Sequence, residues 1–183
     1  WAFRKAEDSG SEIVYIVFNI PGIGPHVINL NYALPQLFRT VVIDGTSQAG
    51  YQIGMPAIII DGNSSINMGI SLYSANNSVI SGLCIRNFRY NGILCNKVNN
   101  ARFTGNVIYN ITRMLTDLLL GEGAIGFLSS SNNTVKGNYI GTDVTSNAYN
   151  NRNAGINIQK IPSDRIATPA SSDNIIGGIL QGE

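Results

Sequence analysis

Residues 69–88 read GISLYSANNSVISGLCIRNF, and residues 92–111 read GILCNKVNNARFTGNVIYNI. The two stretches align without a gap at a spacing of 23 residues, which places Gly82 under Gly105 and each Asn-Asn pair under the other. Self-similarity at one fixed spacing is the sequence signature of an architecture built from stacked repeats. This repeat is therefore the feature that decides the fold.

Two further copies extend the pattern. Residues 124–143, AIGFLSSSNNTVKGNYIGTD, align with the first two copies when one residue is deleted. In that alignment Gly137, Asn138 and Ile140 fall under Gly105, Asn106 and Ile108. A looser copy runs from residues 155–159 to residues 171–178.

Each repeat holds strand-like runs of only a few residues, separated by turns rich in Asn and Gly. These residue types suit turns because they tolerate left-handed backbone angles. The fixed Leu and Asn pattern and the helical half of a leucine-rich repeat are missing, and the runs are too short for an antiparallel sandwich or barrel. The sequence therefore predicts an all-β fold, a right-handed parallel β-helix solenoid, with residues 1–183 forming a single domain.

The segments around the clear repeats fit the same interpretation. Residues 1–8, WAFRKAED, predict a short helix that caps the N-terminal end, where a sheet edge would otherwise be exposed. Residues 112–123 indicate either a short amphipathic helix or a lid-like loop, and residues 144–154 a polar surface loop. The chain begins at Trp1 without a basic and apolar leader, so we expect a processed product or a fragment of a larger secreted or surface protein.

Asn at equivalent turns has a physical explanation in a stack of coils. Equivalent positions would lie about 4.8 Å apart, so their amides can hydrogen-bond along the stack and satisfy turn backbone groups that would otherwise be buried without a partner. We predict that five residues form such structural ladders: Asn77, Asn100, Asn133, Asn106 and Asn138. The alignment also places Cys84 and Cys95 on different faces of the coil, which predicts that they do not form a disulfide.

Composition excludes several classes of partner. Charged residues make up 13% of the chain, and the net charge is +1. No cluster of Lys and Arg occurs, so electrostatics favours neither nucleic acid nor an anionic membrane surface as a partner. The longest apolar runs, such as residues 58–60 and 118–120, are far too short for a transmembrane segment.

Three stretches carry a resemblance to a known family: IVFNIPGIGPHVINL (16–30), VVIDGTSQAGY (41–51) and NNTVKGNYIGTDVTS (132–146). They resemble bacterial secreted right-handed parallel β-helix repeat proteins, which have a pectin-lyase-like fold. Residues 1–8 are similar to the tail of a segment that ends in Leu-Arg-Trp-Ala in many of these proteins. The resemblance covers most of residues 1–146. It implies the fold and a secreted or cell-surface location in a bacterium, and it does not imply an activity.

Several enzymes with the pectin-lyase-like fold act on acidic polysaccharides, which makes acidic side chains the first candidates. The Arg-x-Pro-x-x-Arg signature of pectate lyases is absent, as are the Asn-Thr-Asp, Asp-Asp and Gly-His-Gly signatures of polygalacturonase-like hydrolases. The only histidine, His26, lies in a Gly-Pro-His loop and is expected to be structural.

Three aspartates are the weak catalytic candidates. Asp44 and Asp61 both follow Ile and precede Gly. On neighbouring coils their carboxylates could bind Ca²⁺ or act as an acid and base pair on a glycoside. Asp143 follows Gly-Thr and is the third candidate. The simpler alternative is that all three open turns after strands. No cofactor is otherwise indicated.

Three functional hypotheses follow. The first is a non-enzymatic secreted or cell-surface scaffold whose side loops bind a polysaccharide or a host or cell-surface ligand. Six aromatic residues would pack either on sugar rings or, alternatively, in the core or at the edges of the coils: Tyr51, Tyr73, Tyr90, Tyr109, Tyr139 and Tyr149. The alternative is a polysaccharide lyase or glycoside hydrolase acting on an acidic polysaccharide. An enzyme should bring two carboxylates, or a carboxylate and a cation, together in a groove beside one sheet. A purely structural spacer in a surface fibre is a third option.

Overall fold

The computed structural model describes residues 2–8, 12–112, 121–145, 147–152, 154–161 and 169–177. Within these residues the chain forms one α-helix, α1 (Ala2–Asp8), a 3-10 turn at Gly45–Ser47, and short β-strands that pair only in parallel. The predicted all-β class is confirmed, and so is the short N-terminal helix.

The strands form three parallel sheets. Sheet A contains, in spatial order, β1 (Ile13–Val17), β3 (Thr40–Asp44), β6 (Val79–Ser81), β9 (Arg102–Thr104), β12 (Thr134–Lys136) and β15 (Ile175–Ile176). Sheet B contains β2 (His26–Asn29), β4 (Ile58–Asp61), β7 (Leu83–Arg86), β10 (Val107–Tyr109) and β13 (Tyr139–Ile140). Sheet C contains β5 (Met68–Tyr73), β8 (Asn91–Asn96), β11 (Gly123–Leu128) and β14 (Ala154–Gln159).

The chain visits the three sheets in rotation. From β3 onward, it adds one strand to sheet A, one to sheet B and one to sheet C, and then returns to sheet A beside the strand it laid down before. We call each such passage a circuit. The sequence repeats correspond to circuits, because Ile85 pairs with Ile108 in sheet B and Ile70 pairs with Ile93 in sheet C, as the alignment predicted.

The register of the third copy differs from the predicted alignment at one turn. Phe127 pairs with Cys95 before the Asn132–Asn133 turn, and Thr134 pairs with Arg102 after it, so the same offset applies on both sides of this turn and no residue is deleted. The offset is 32 residues instead of 23 because the preceding circuit contains a longer connection between sheets B and C. Asn133 therefore lies opposite Ala101 and not opposite Asn100.

The core lies between the three sheets. Every second residue along a strand points its side chain into it. On sheet A these are Ile43, Ile80 and Phe103, all completely buried. Phe103 meets Phe127 of sheet C edge to face, with ring centroids 5.8 Å apart. Alternation along each strand sends the intervening side chains to the outer faces of the sheets, where a site can form.

The helix α1 packs on the first circuit. Phe3 and Ala6 are buried in the hydrophobic core, together with Ile16 of β1 and Leu30 after β2. On its outer side, the Glu7 carboxylate accepts a hydrogen bond from the backbone N–H of Phe38 at 3.0 Å. The helix thus covers apolar surface at the N-terminal end of the sheets.

Some predictions concern residues outside the described ranges. Residues 113–120, the greater part of the predicted amphipathic helix or lid, belong to this group, and so does Trp1. In the predicted loop at residues 144–154, Ala148 forms an antiparallel bridge with Thr142. Cys84 and Cys95 are buried free thiols in sheets B and C, as the alignment predicted. Within the described part of the chain, no helix is long and apolar enough to cross a bilayer.

Candidate functional site

The outer face of sheet B carries an open groove of about 390 Å³. One residue from each successive strand forms a row along its floor, because the register aligns Ile59, Cys84 and Val107. Tyr109 lies two residues beyond Val107 on the same face and also lines the groove. The floor is therefore apolar along most of its length, with one phenol at its side.

Residues from two segments form one wall of the groove, residues 23–25, which follow Gly22, and residues 50–57. The buried amide of Gln48 ties the first segment down. Its Nε2 donates to the carbonyl oxygens of Ile20 at 2.8 Å and Gly22 at 3.0 Å, and its Oε1 accepts from the N–H of Ile20 at 2.8 Å. A Cβ at Gly50, where φ is +89°, would collide with the carbonyl oxygen of Ile23, so glycine lets the two segments meet.

Asp143 also lines the groove and is held by its own loop. Its Oδ1 accepts from the N–H of Thr145 at 2.9 Å, the hydroxyl of Thr145 at 2.6 Å and the N–H of Asn147 at 3.1 Å. Its Oδ2 accepts from Nδ2 of Asn147 at 3.1 Å. These bonds, those from the Thr145 hydroxyl above all, lower the pKa of the Asp143 carboxyl to about 2, so it is ionised at physiological pH.

A polar network borders the groove on the same face of sheet B. The register aligns Asp61, Arg86 and Tyr109 on successive strands. Arg86 donates from Nε to Oδ2 of Asp61 at 2.7 Å and from Nη1 to the hydroxyl of Tyr109 at 3.1 Å. Asn87 donates to both oxygens of Asp61, at 3.0 and 2.9 Å, and the N–H of Asn63 donates to Oδ1 at 2.8 Å. The guanidinium is thus engaged at both of its ends.

The pKa values follow from this network. Burial raises the pKa of the Asp61 carboxyl, but the hydrogen bonds from Asn63, Asn87 and Arg86 outweigh it, and the pKa lies below its ordinary value of 3.8. Burial likewise raises the pKa of Tyr109, with the hydrogen bond from Arg86 acting in the opposite direction. Burial raises the pKa of the Cys84 thiol to about 11. Asp61 is therefore ionised at neutral pH, whereas Tyr109 and Cys84 are protonated.

Two tyrosines stack where the network meets the loop after β13. The rings of Tyr109 and Tyr149 have centroids 4.4 Å apart and an interplanar angle of 24°. The N–H of Tyr149 donates to the carbonyl oxygen of Gly141 at 2.8 Å, which fixes the loop that also carries Asp143. Tyr139 of β13 pairs with Val107 and continues the floor row.

Asp44 lies elsewhere, at the end of β3 in sheet A. Its Oδ1 accepts from the N–H of Thr46 at 3.0 Å, the hydroxyl of Thr46 at 2.6 Å and the hydroxyl of Ser81 at 3.2 Å, so it caps the 3-10 turn that follows. Asp61 ends a strand of sheet B, and the two carboxylates therefore occupy different sheets of one circuit. Among the residues that the structure describes, no group of three or more His, Cys, Asp or Glu side chains could hold a metal ion.

Three of the predicted ladder residues make amide hydrogen bonds along the stack. Asn106 accepts from the N–H of Leu83 at 3.1 Å and donates from Nδ2 to the carbonyl oxygen of Ile80 at 2.9 Å and to Oδ1 of Asn138 at 3.0 Å. Asn138 donates in turn to the carbonyl oxygen of Phe103 at 2.8 Å. These contacts connect the turns between sheets A and B.

Asn133 plays the same part between sheets C and A. It accepts from the N–H of Ala101 at 2.9 Å and donates to the carbonyl oxygen of Val98 at 3.0 Å and to Oδ1 of Asn174 at 2.9 Å. Asn174, which the sequence prediction did not include, donates to the carbonyl oxygen of Ser130 at 2.9 Å.

Asn77 and Asn100 occupy a different kind of position. Both have left-handed backbones, with φ of 59° and 60°. The amide contacts of this turn come from the preceding residues, since Asn99 donates from its N–H to Oδ1 of Asn76 at 2.8 Å. At Asn77 and Asn100 the backbone angle accounts for the residue type, because Asn tolerates it better than most residues.

His26 and the remaining tyrosines contribute less to the groove. Nε2 of His26 lies 3.2 Å from the carbonyl oxygen of Gly22, beside the first wall segment. Tyr73 belongs to sheet C, where it contacts Phe38 at a centroid distance of 5.8 Å and lies under Lys97. Tyr90 is buried, with Arg89 over its ring.

Sequence reasoning missed the Asp61–Arg86–Asn87 network and the wall clamp at Gln48. The repeat spacing of 23 itself places Tyr109 beside Arg86, and the structure confirms this pairing. Asp61 and Arg86 are 25 residues apart, in a circuit where the alignment does not apply. Gln48 acts on a segment 28 residues earlier, with no repeat to indicate it.

Comparisons with protein-family models, with curated proteins and with solved structures gave no match. The function must therefore be inferred from the groove and its chemistry.

Proposed function

We propose that this protein is a non-catalytic scaffold of the secreted or cell-surface kind, which binds a carbohydrate chain in the groove over sheet B. The rotation of the chain through sheets A, B and C supports a right-handed parallel β-helix of the pectin-lyase-like type as its architecture. The observation that carries the functional proposal is the lining of the groove. It combines an apolar floor and a phenol with one carboxylate, Asp143, that its own loop already binds.

The lining suits sugar binding. Binding sites for small ligands are mostly apolar, with a few polar groups that fix the orientation of the ligand. Ile59 and Val107 offer apolar surface to the C–H groups of a sugar ring, and Tyr109, stacked on Tyr149, offers an aromatic ring that is already held in place. A ring fixed before binding loses little conformational entropy when the ligand arrives.

The same lining argues against hydrolysis or elimination. A glycosidase uses two carboxyl groups, one of which must be protonated at working pH. Within the described residues, Asp143 is the only carboxylate that lines the groove, and its pKa of about 2 makes it a poor acid and a weak base at neutral pH. The Asp61 carboxylate is turned toward Arg86, Asn87 and Asn63.

A polysaccharide lyase or glycoside hydrolase acting on an acidic polysaccharide is the second candidate. The observation in its favour is that Arg86 donates to the hydroxyl of Tyr109, a residue that lines the groove. A cation beside a phenol favours the deprotonated form that a base requires. The pKa of Tyr109 nevertheless lies above its ordinary value of 10.0, because burial outweighs the cation.

Binding and turnover can be measured on the same panel of polysaccharides. We expect isothermal titration calorimetry to detect at least one ligand, and assays for reducing ends and for unsaturated sugar to detect no product, with or without Ca²⁺. Tyr109→Ala should weaken binding at least tenfold, since it removes the ring from the groove. Tyr32→Ala is the matched control, because Tyr32 is 85% exposed and lies outside the groove.

Two results would contradict the proposal. Product formation that Tyr109→Phe abolishes would identify an enzyme with Tyr109 as the base. If no polysaccharide in the panel binds, the groove does not have the proposed carbohydrate-binding function.

A further inference from the structure

The charges around the groove indicate which class of carbohydrate it can bind. We infer that the groove takes an uncharged polysaccharide, a polymer of neutral hexose or pentose units, and discriminates against polymers of uronic acids. This inference rests on the proposed carbohydrate-binding function of the same groove. It specifies which carbohydrates bind.

In the described part of the chain, no cation lines the groove to pair with an acidic sugar. Among the described residues that line it, Asp143 is the charged side chain, and it is negative. The neighbouring guanidinium of Arg86 is paired with Asp61 at 2.7 Å and also donates to Tyr109. A uronate would have to give up water beside a negative charge, and the described lining offers no cation as its partner. Loss of hydration and like-charge repulsion both oppose its binding.

A neutral sugar meets neither obstacle. Each oxygen of an ionised carboxylate offers about two lone-pair sites for hydrogen bonds. In the described part of the chain Oδ1 of Asp143 accepts three, whereas Oδ2 accepts one, from Asn147. Oδ2 can therefore take a further hydrogen bond, and a sugar hydroxyl is a suitable donor. The exposed residue Gln52, which also lines the groove, adds a neutral amide donor and acceptor.

The size and floor of the groove fit a short stretch of chain. Its volume of about 390 Å³ lies at the lower end of the range usual for small-molecule sites, about 300 to 1,000 Å³. The floor row of Ile59, Cys84 and Val107 presents no charge to the ring faces of the ligand. Selectivity between neutral and acidic polymers would therefore arise at the Asp143 side.

The test compares two classes of ligand on the whole chain. Calorimetric titrations with soluble glucan, mannan and xylan oligosaccharides are compared with titrations with oligosaccharides of polygalacturonate and alginate. At least one neutral series should bind ten times more tightly than either uronate series. Its affinity should change less than twofold between 20 and 500 mM NaCl, because an uncharged ligand has no ionic attraction for salt to screen.

Variants of Asp143 test the residue itself. Asp143→Lys should weaken the neutral ligand at least tenfold and raise the affinity for uronate, since it replaces the acceptor by a cation. Asp143→Asn should also raise the affinity for uronate, and it gives the same readout if the lysine variant does not fold. Circular dichroism and thermal unfolding establish the folded state of each variant.

The possible outcomes distinguish an error in the proposed carbohydrate site from an error in the proposed class of ligand. Neutral selectivity that Asp143→Lys reverses supports both the carbohydrate site and its ligand class. Uronate binding as tight as neutral binding, or tighter, overturns the ligand class and leaves the carbohydrate site in place. Absence of binding by both classes overturns the carbohydrate site, and the ligand class with it.

Discussion

Asn106 is completely buried, and its side chain holds the backbone of two strands together. Replacement by Ala would leave the N–H of Leu83 without its partner and would remove one hydrogen bond from the carbonyl oxygen of Ile80, which lies in the ladder between β6 and β9. We expect Asn106→Ala to lower the free energy of unfolding by about 1 to 3 kcal/mol, the cost of leaving a buried donor unpaired. Urea unfolding measures this loss. Asn31→Ala, at an exposed position, is the control and should change stability by less than about 0.5 kcal/mol.

At Asn100 the backbone angle, and not the amide, should determine stability. With φ of 60°, Asn100→Ala should cost about 1 kcal/mol, because a Cβ without a local hydrogen bond disfavours the left-handed region. Asn100→Gly should be close to neutral, since glycine adopts this angle freely. Equal losses for both variants in urea unfolding would instead assign Asn100 to a ladder.

The ion pair of Asp61 and Arg86 should make stability depend on pH. The pKa of Asp61 is lower in the folded state than its ordinary value of 3.8, so its ionised form stabilises the fold above that value and the contribution is lost as pH falls through the folded pKa. We expect Asp61→Asn to cost about 2 kcal/mol at pH 7, because Arg86 loses a largely buried partner. Urea unfolding from about pH 7 to about pH 2 should show this difference shrinking. A difference that stays constant with pH would exclude the carboxylate as its source.

At the scale of elements, the sequence predicted the contacts between repeated positions. It missed contacts between residues that the repeat does not relate. Ile85 and Ile108 align because one circuit separates them without an insertion. Asp44 and Asp61 share a local motif, yet they end successive strands of one circuit, and a motif of three residues does not distinguish sheet A from sheet B. The groove walls depend on loops that fold back on distant strands, as Tyr149 does on Tyr109. Such contacts leave no periodic signal in a single sequence.

The helix α1 offers a prediction for a whole element. Phe3 is 8% exposed and packs into the core of the first circuit, whereas Phe38 is 57% exposed. We expect Phe3→Ala to destabilise the protein by about 3 kcal/mol, as for other buried aromatic residues, and Phe38→Ala by less than about 1 kcal/mol. Thermal and urea unfolding provide the measurement. Equal effects of the two substitutions would mean that the helix contributes little to the stability of the sheets beneath it.

At the scale of the whole molecule, the two ends of the stack differ in how well the core is covered. At the N-terminal end, Phe3 and Ala6 of α1 lie over the first circuit. In the last described circuit, Ile158 and Ile176 pair with the core residues Phe127 and Val135 but are themselves 44% and 45% exposed. Each circuit contacts mainly its neighbours, so local stability should follow local burial.

Hydrogen exchange in the native state should therefore show a gradient along the stack. The amides of β14 have parallel partners in β11, yet their side chains bury less apolar surface than those of β8, where Ile93 and Cys95 are completely buried. We expect peptides covering residues 154–159 to exchange at least ten times faster than peptides covering residues 91–96, which corresponds to about 1.4 kcal/mol in the free energy of opening. Equal protection of both peptides would mean that the sheets open as one cooperative unit, in which exposure at one end does not lower local stability.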